Sequence, residues 1–381
     1  MIKVLFDHQA FAMQTHGGVS RCFVELYKHF PKEVDATISL HESDNAYVKD
    51  MEGVRPKGYK YDHFMCTRHF FGKGHLHLWL DKFRKHKYYP DYNRNYSIEQ
   101  LKSGDFDVFH PTYFNDYFLP YLNGKPFVLT IHDMIPELYS QYFQRDDFQI
   151  RMKRKLAPMA SAIIAVSETT KRDVVRLLNV PKEKVHVVYH GCSFPKVEGA
   201  KPLIDKNYIL YVGHRYGYKN FELFFRYVVP VLERHEELSV VCTGCPFNDH
   251  ELQMMEQYGM QDRFIYYWVP TDEEFYALYH YAVCFVYPSE YEGFGIPILE
   301  AYQAECPVLL NRASCFPEIA GDAAVYFKMD SECSNLADQV ELLLSMTACE
   351  REQLLMKQRE RLALYSWNSS AEKLARIYSD L

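Results

Sequence analysis

Residues 289–310 read SEYEGFGIPILEAYQAECPVLL, with Glu292 just ahead of Gly-Phe-Gly-Ile-Pro and Glu300 eight residues later. The run before it, residues 284–287, is short, apolar and rich in aromatic and branched side chains, which predicts a buried strand. Residues 294–296 read as a turn. Pro297 suits the start of a helix, where its missing N–H costs nothing. The stretch is therefore a strand, a loop and a helix N-terminus. Such a junction collects unpaired backbone N–H groups and the positive end of the helix dipole, and Gly293 and Gly295 permit close approach of the backbone to a ligand. An anion suits it. Glu292 and Glu300 are themselves anionic, so they suit hydroxyl groups on either side of a phosphate rather than the phosphate itself. On these residues alone a second reading stays open: acids are common in a first helical turn, and Glu292 is then a solvated loop residue.

At 381 residues with 48% hydrophobic content, the chain is long enough for two ordinary cores, and two domains are expected. The net charge of −7 argues against a general nucleic-acid binder. No apolar run approaches the roughly 20 residues that a membrane-spanning helix needs. The opening Met1-Ile2-Lys3-Val4-Leu5-Phe6-Asp7 reads as a first strand rather than a signal peptide, so a cytoplasmic location is expected. The ten cysteines fall at irregular spacings, and Cys22, Cys284 and Cys306 lie in apolar segments, which suits reduced, packed thiols. Cys242 and Cys245 form a C-x-x-C after an apolar run, but no second pair completes a zinc set, and the pair reads as a strand end.

Strand-like runs at residues 2–6, 107–110, 127–131, 162–166 and 185–189 alternate with helical stretches, and a second series follows at 208–212, 238–242, 264–267, 284–287 and 307–310. This is the pattern of parallel α/β sheets. The polar segment 195–206 divides the two series, and each half has the size of one doubly wound domain, so two such sheets facing a cleft are expected. A final helix is predicted over 369–378, with Ala371, Leu374, Ala375 and Ile377 on one side.

The second series opens with Tyr211-Val212-Gly213-His214-Arg215-Tyr216-Gly217-Tyr218-Lys219-Asn220-Phe221. A glycine directly after a strand, with cations two and six residues on and then a helix, suits a diphosphate clamp of Gly213, Arg215 and Lys219. It is neither a G-x-G-x-x-G fingerprint nor a Walker motif. Together with the glutamate pair, however, residues 213–221 resemble the Gly-x5-Lys-Asn segment, and residues 292–300 the E-x7-E motif, of the family 4 retaining glycosyltransferases with the GT-B fold. Gly17-Gly18-Val19-Ser20-Arg21 resembles the family's glycine-rich loop, and Thr130-Ile131-His132-Asp133 its strand end. Residues 164–167, 188–191 and 365–367 resemble further landmarks.

The resemblance implies two Rossmann-like domains, an acceptor-side domain over 1–197 and a nucleotide-sugar domain over 204–365, with residues 366–381 packing back on the first. It implies that Glu292 contacts the transferred sugar, that Glu300 holds the ribose hydroxyls, and that Arg215 and Lys219 grip the diphosphate beside Gly213. Backbone N–H groups of Phe294, Gly295 and Ile296 would help, so that leaving-group charge is stabilised with no metal and no cofactor. His132 would lie near the donor sugar, and Gly17 and Gly18 would let the N-terminal loop close over the phosphate. Glu292, His132 and Lys219 are the catalytic candidates. Many members carry Arg where this chain has Tyr218, which leaves the partner of Arg215 open, and His190 stands where Asn is common. The implied reaction is transfer of a sugar, mannose favoured, from a nucleoside diphosphate sugar to a saccharide or lipid-linked saccharide, as in mannosyl and related transferases of surface polysaccharide assembly. A sugar-nucleotide epimerase of the same fold and a non-catalytic nucleotide-sugar-binding subunit are the alternatives.

Asp105-Phe106-Asp107 has the form of a D-x-D metal motif, but it precedes a buried strand in the first half and reads as the turn leading into that strand. His110 shares the strand-end position of His132 without the motif. Residues 68–87 set Arg68, Lys73, Lys82, Arg84, Lys85 and Lys87 against a single acid, Asp81, interleaved with aromatic and aliphatic side chains. They are either a solvated face or a surface element that meets anionic lipid head groups, which would make the protein peripheral on the inner face of a membrane.

Overall fold

The computed structural model describes residues 1–56, 91–143 and 147–381. The basic aromatic segment 68–87 lies outside the described residues. Two compact units emerge: one comprises Met1–Thr130, Arg151–Ile164 and Ala371–Leu381, the other Ile131–Ile150 and Ala165–Ser370.

In the first unit, β1 (Ile2–Phe6) runs parallel to β2 (Val34–Ile38) on one side and β3 (Val108–His110) on the other. Strands β4 (Val128–Ile131), β5 (Ala162–Ala165) and β6 (Val185–Val187) form a separate three-stranded sheet in that order, and β6 is counted with the second unit. The unit boundaries fall within β4 and β5. Asp107 and Asp105 sit at the start of β3, where Asp107 accepts the backbone N–H of Lys3 at 2.8 Å and Asp105 pairs with the Lys3 ammonium. They serve as the turn the sequence suggested. His110 is fully buried, with Nδ1 2.6 Å from the Tyr378 hydroxyl and Nε2 2.8 Å from Thr130 Oγ1. Both ring nitrogens hold core elements together, including the end of the last helix, Trp367–Ser379.

The second unit carries one six-stranded parallel sheet: β7 (Asn207–Tyr211), β8 (Leu238–Cys242), β9 (Phe264–Tyr266), β10 (Cys284–Tyr287), β11 (Val308–Asn311) and β12 (Val325–Phe327). Their spatial order is β12-β11-β10-β7-β8-β9. Counted from the first strand of the unit this is 3-2-1-4-5-6, the doubly wound order, whose direction reverses between β7 and β10. Alternate residues of each strand enter separate cores: Tyr208, Leu210, Phe285 and Tyr287 pack on one face, Ile209, Tyr211, Cys284 and Val286 on the other. Helices cover both faces, so the strands read as continuous apolar runs rather than alternating ones.

The strands match the apolar runs to within a residue or two. Two edge strands, β2 and β12, are additional to those runs. Cys242 ends β8 in the core, while Cys245 is exposed; both are free thiols, and burial pushes the Cys242 thiol up. Among the described residues, no helix is long and apolar enough to cross a membrane.

Candidate active site

Loops at the C-terminal ends of β7 and β10 meet where the strand order of the second unit reverses, the place at which open α/β sheets bind ligands. After β7, Gly213 takes a φ of 101°, a left-handed conformation that suits glycine. Its carbonyl packs against Gly244 so closely that a Cβ there would sit 2.7 Å from the oxygen. The Tyr211 hydroxyl lies 3.1 Å from the His214 carbonyl and 3.3 Å from that of Lys219, which ties the two ends of the loop to the strand beneath. A single 3-10 turn, Gly217–Lys219, then leads through Asn220 into the helix Phe221–Arg234.

Lys219 reaches across to the other loop. Its ammonium donates to Glu292 Oε1 at 2.5 Å, with both side chains largely buried, 18% and 11% exposed. The Glu290 N–H donates to the Tyr218 carbonyl at 2.9 Å, so backbone as well as side chains join the loops. Glu292 is held on its own side by Ser314, whose hydroxyl donates to the Glu292 carbonyl at 2.7 Å.

Gly293 has no room for a side chain: a Cβ would lie 1.8 Å from the carbonyl oxygen of His132. Its own carbonyl accepts the hydroxyls of Ser167 at 2.7 Å and Thr170 at 3.2 Å. Ser167 also caps the helix Glu168–Leu178 by accepting the N–H of Thr170. His132 is thereby brought against the residue next to Glu292. Its ring lies 5.7 Å from that of His190, nearly parallel. His190 packs edge-on to Phe294 and is held well below the ordinary histidine range, by burial first and by the neighbouring His132 second. It is a neutral ring in the core.

Gly295, at φ 92°, turns the chain into the helix Ile296–Gln303, with Pro297 as its second residue. Phe294 is buried beneath the turn. Glu300 projects from the same helix, 8% exposed, and its Oε2 accepts the Tyr279 hydroxyl at 3.1 Å.

Arg215 is held by protein partners. Its side chain is 4% exposed and turned inward: Nε donates to Glu251 Oε1 at 2.8 Å, and one terminal nitrogen bonds the carbonyls of Cys245 and Pro246 at 2.7 and 2.8 Å. The guanidinium braces the loop after β8, where a carboxylate and several carbonyls satisfy a buried arginine. Glu251 serves twice, since it also closes the capping box of the helix Asp249–Gln257 with Asn248. Gly17 and Gly18 belong to the first unit, where Gly17 caps and Gly18 opens the helix Gly18–His29. Glu251, Thr170 and Tyr279 have no role in the sequence reading, and Ser167 enters it only as part of the landmark 164–167. The Asn248-x-x-Glu251 spacing was the one local signal available.

Two family models match the chain, "Glycosyl transferases group 1" over residues 197–363 and "Glycosyltransferase Family 4" over residues 16–193. The two matches follow one another along the chain and together take in most of its length. It is 30% identical over 217 residues to the O-antigen chain mannosyltransferase RfbU of Salmonella typhimurium, a match over 57% of this chain and 60% of that one. It is 29% identical over 226 residues to O-antigen chain mannosyltransferase B of Escherichia coli, covering 55% and 59%. The chain thus spans about three fifths of these curated relatives. Among solved structures, Anabaena HepE in complex with UDP and glucose matches with a TM-score of 0.68 at 16% identity, covering all of both chains. Sucrose-phosphate synthase from Thermosynechococcus elongatus matches with a TM-score of 0.69 at 17% identity, covering 100% and 99%. The fold is GT-B.

Proposed function

We propose that the protein transfers a hexose, mannose favoured, from a nucleoside diphosphate sugar to a saccharide or lipid-linked saccharide, with retention at the anomeric carbon, in surface polysaccharide assembly. The observation that carries this reading is the Lys219–Glu292 pair at the reversal of strand order, with Glu300 one helical turn into the adjoining helix. An ammonium and a helix N-terminus suit the diphosphate, and carboxylates on either side suit the hydroxyls of sugar and ribose.

In this reading Lys219 and the N–H groups of Phe294, Gly295 and Ile296 stabilise the charge that develops on the departing diphosphate, so no metal and no cofactor are needed. Glu292 keeps Lys219 placed and accepts a hydroxyl of the transferred sugar. The His132 backbone, against Gly293, sets the height of that loop, and the His132 side chain serves the sugar or the acceptor. Retention puts the acceptor oxygen on the face from which phosphate leaves. The bond from the anomeric carbon to phosphate breaks, the bond to the acceptor oxygen forms, and the acceptor proton passes to the departing phosphate oxygen.

Mannose is favoured because the relatives named above are mannosyltransferases; a neighbouring fold was solved with UDP, so both guanine and uracil donors belong in the test. Contact with an anionic membrane through residues 68–87 belongs to the same proposal, as does a cytoplasmic site of action. The test is a panel of GDP- and UDP-sugars offered with free and lipid-linked glycans, with product configuration read by NMR. An α-linked product from an α-linked donor supports the proposal. An inverted product, or epimerised donor with no transfer, overturns it.

A further inference from the structure

The carboxylate of Glu300 is held in place from below. Tyr279, near the end of the helix Asp272–His280, is fully buried, and its ring packs against Phe275 at 5.0 Å, Phe285 at 5.4 Å and Phe194 at 5.8 Å. A phenol enclosed by three aromatic rings points its hydroxyl in one direction, set by the ring. That direction is Glu300 Oε2, 3.1 Å away. Burial, and the Glu300 carboxylate beside it, push the Tyr279 hydroxyl well above its ordinary range, so it stays a donor at any working pH.

A buried hydroxyl needs an acceptor, but a backbone carbonyl serves that need at no further cost. Tyr208 shows this in the same core: its hydroxyl donates to the carbonyl of Leu278 at 2.8 Å. Tyr279, one residue further along the same helix, instead spends its hydroxyl on a carboxylate that has itself been drawn out of water. The pairing fixes one oxygen of Glu300 and with it the rotation of the whole carboxylate. Recognition of a hydroxyl depends on such fixing. A carboxylate free to rotate follows its ligand or turns to water, whereas one held in a fixed orientation favours the hydroxyl that meets it there.

We propose that Tyr279 is a positioning residue for the donor nucleotide: by holding Glu300 it sets the preference for ribose over 2′-deoxyribose. The inference rests on the reading of Glu300 as the ribose contact, and the test separates the two.

Binding of GDP and UDP is measured by calorimetry against 2′-deoxy-GDP and 2′-deoxy-UDP, for the wild-type protein and for Glu300→Ala, Tyr279→Phe and Tyr208→Phe. Tyr279→Phe keeps the ring and removes one oxygen, so the core remains filled. It is expected to lower the ribose preference about ten-fold, the scale of one hydrogen bond to a charged group. Glu300→Ala should bring the preference close to one. Tyr208→Phe removes an equally buried hydroxyl nearby and should melt at a lower temperature with its ribose preference intact. If Glu300→Ala abolishes the preference and Tyr279→Phe keeps the wild-type ratio, the inference fails and the reading of Glu300 stands. If Tyr208→Phe loses the preference as Tyr279→Phe does, Tyr279 only stabilises the core, and the inference fails. If Glu300→Ala retains the preference, Glu300 does not hold the ribose, and both fall.

Discussion

The ammonium of Lys219 and the carboxylate of Glu292, 73 positions apart in sequence, lie 2.5 Å from one another and join the loops that follow β7 and β10. Each is the other's partner, so neither charge is left buried alone. On the proposed reading, Lys219→Ala should weaken donor binding by about 1.5–3 kcal/mol, the scale of one charge-assisted contact to the diphosphate, and the transition state by more. Glu292→Gln keeps the volume and should lower kcat more than it raises KM, since it changes the sugar end of the site. Calorimetry and steady-state kinetics on both variants check this; wild-type kcat in Glu292→Gln contradicts it.

Arg215 and Glu251 form a buried pair, so removing either leaves a charge without a partner. Arg215→Ala or Glu251→Ala should each destabilise the protein by about 3–5 kcal/mol, while Arg215→Met with Glu251→Leu should recover much of that loss. Denaturant unfolding measures all three. A side chain that only gripped a ligand would leave the unbound protein as stable as wild type.

Gly293→Ala forces a Cβ to within 1.8 Å of the His132 carbonyl, and that atom is backbone, so the loop must move. The shift carries Glu292 with it. Activity should fall by about a hundred-fold or more, on the scale expected when a reacting group is displaced by an ångström, while nucleotide binding at Glu300 falls less. Unchanged turnover in this variant contradicts the described packing.

His190 is neutral in the folded protein, with its pKa held well below the ordinary 6.5. In the unfolded chain it takes up a proton below that pH, so the unfolded state binds more protons and stability falls as the pH drops from about 6.5 towards the folded value. The slope due to this one ring is at most about 1.4 kcal/mol per pH unit. Melting curves of wild type and His190→Asn between pH 7.5 and 5 should converge on acidification, the variant losing less. Parallel curves contradict a buried neutral ring.

Most of the parallel sheet was legible because its strands are buried on both faces and so read as unbroken apolar runs. Strands β2 and β12 were not. Both lie at sheet edges, and in Val34–Ile38 the exposed Asp35 and Thr37 break the run. The glycines and Lys219 were legible through local spacing and family likeness. The inward turn of Arg215 was not, because Glu251 is 36 residues away and nothing local to the arginine announces it. Tyr279 was hidden for the same reason: within its helix it looks like one more apolar core residue, and the bond to Glu300 exists only once two helices have packed.

The central claim is that Lys219 and the adjoining backbone, with no metal, carry the charge of a departing nucleoside diphosphate. Release of GDP or UDP from sugar nucleotides in the presence of excess EDTA, compared between wild type and Lys219→Ala, tests it most directly. The account predicts release by the wild-type protein from at least one donor, unaffected by EDTA, and a fall of about a hundred-fold or more in the variant. Release that EDTA abolishes and added Mg2+ or Mn2+ restores, or equal release by both proteins, would contradict it.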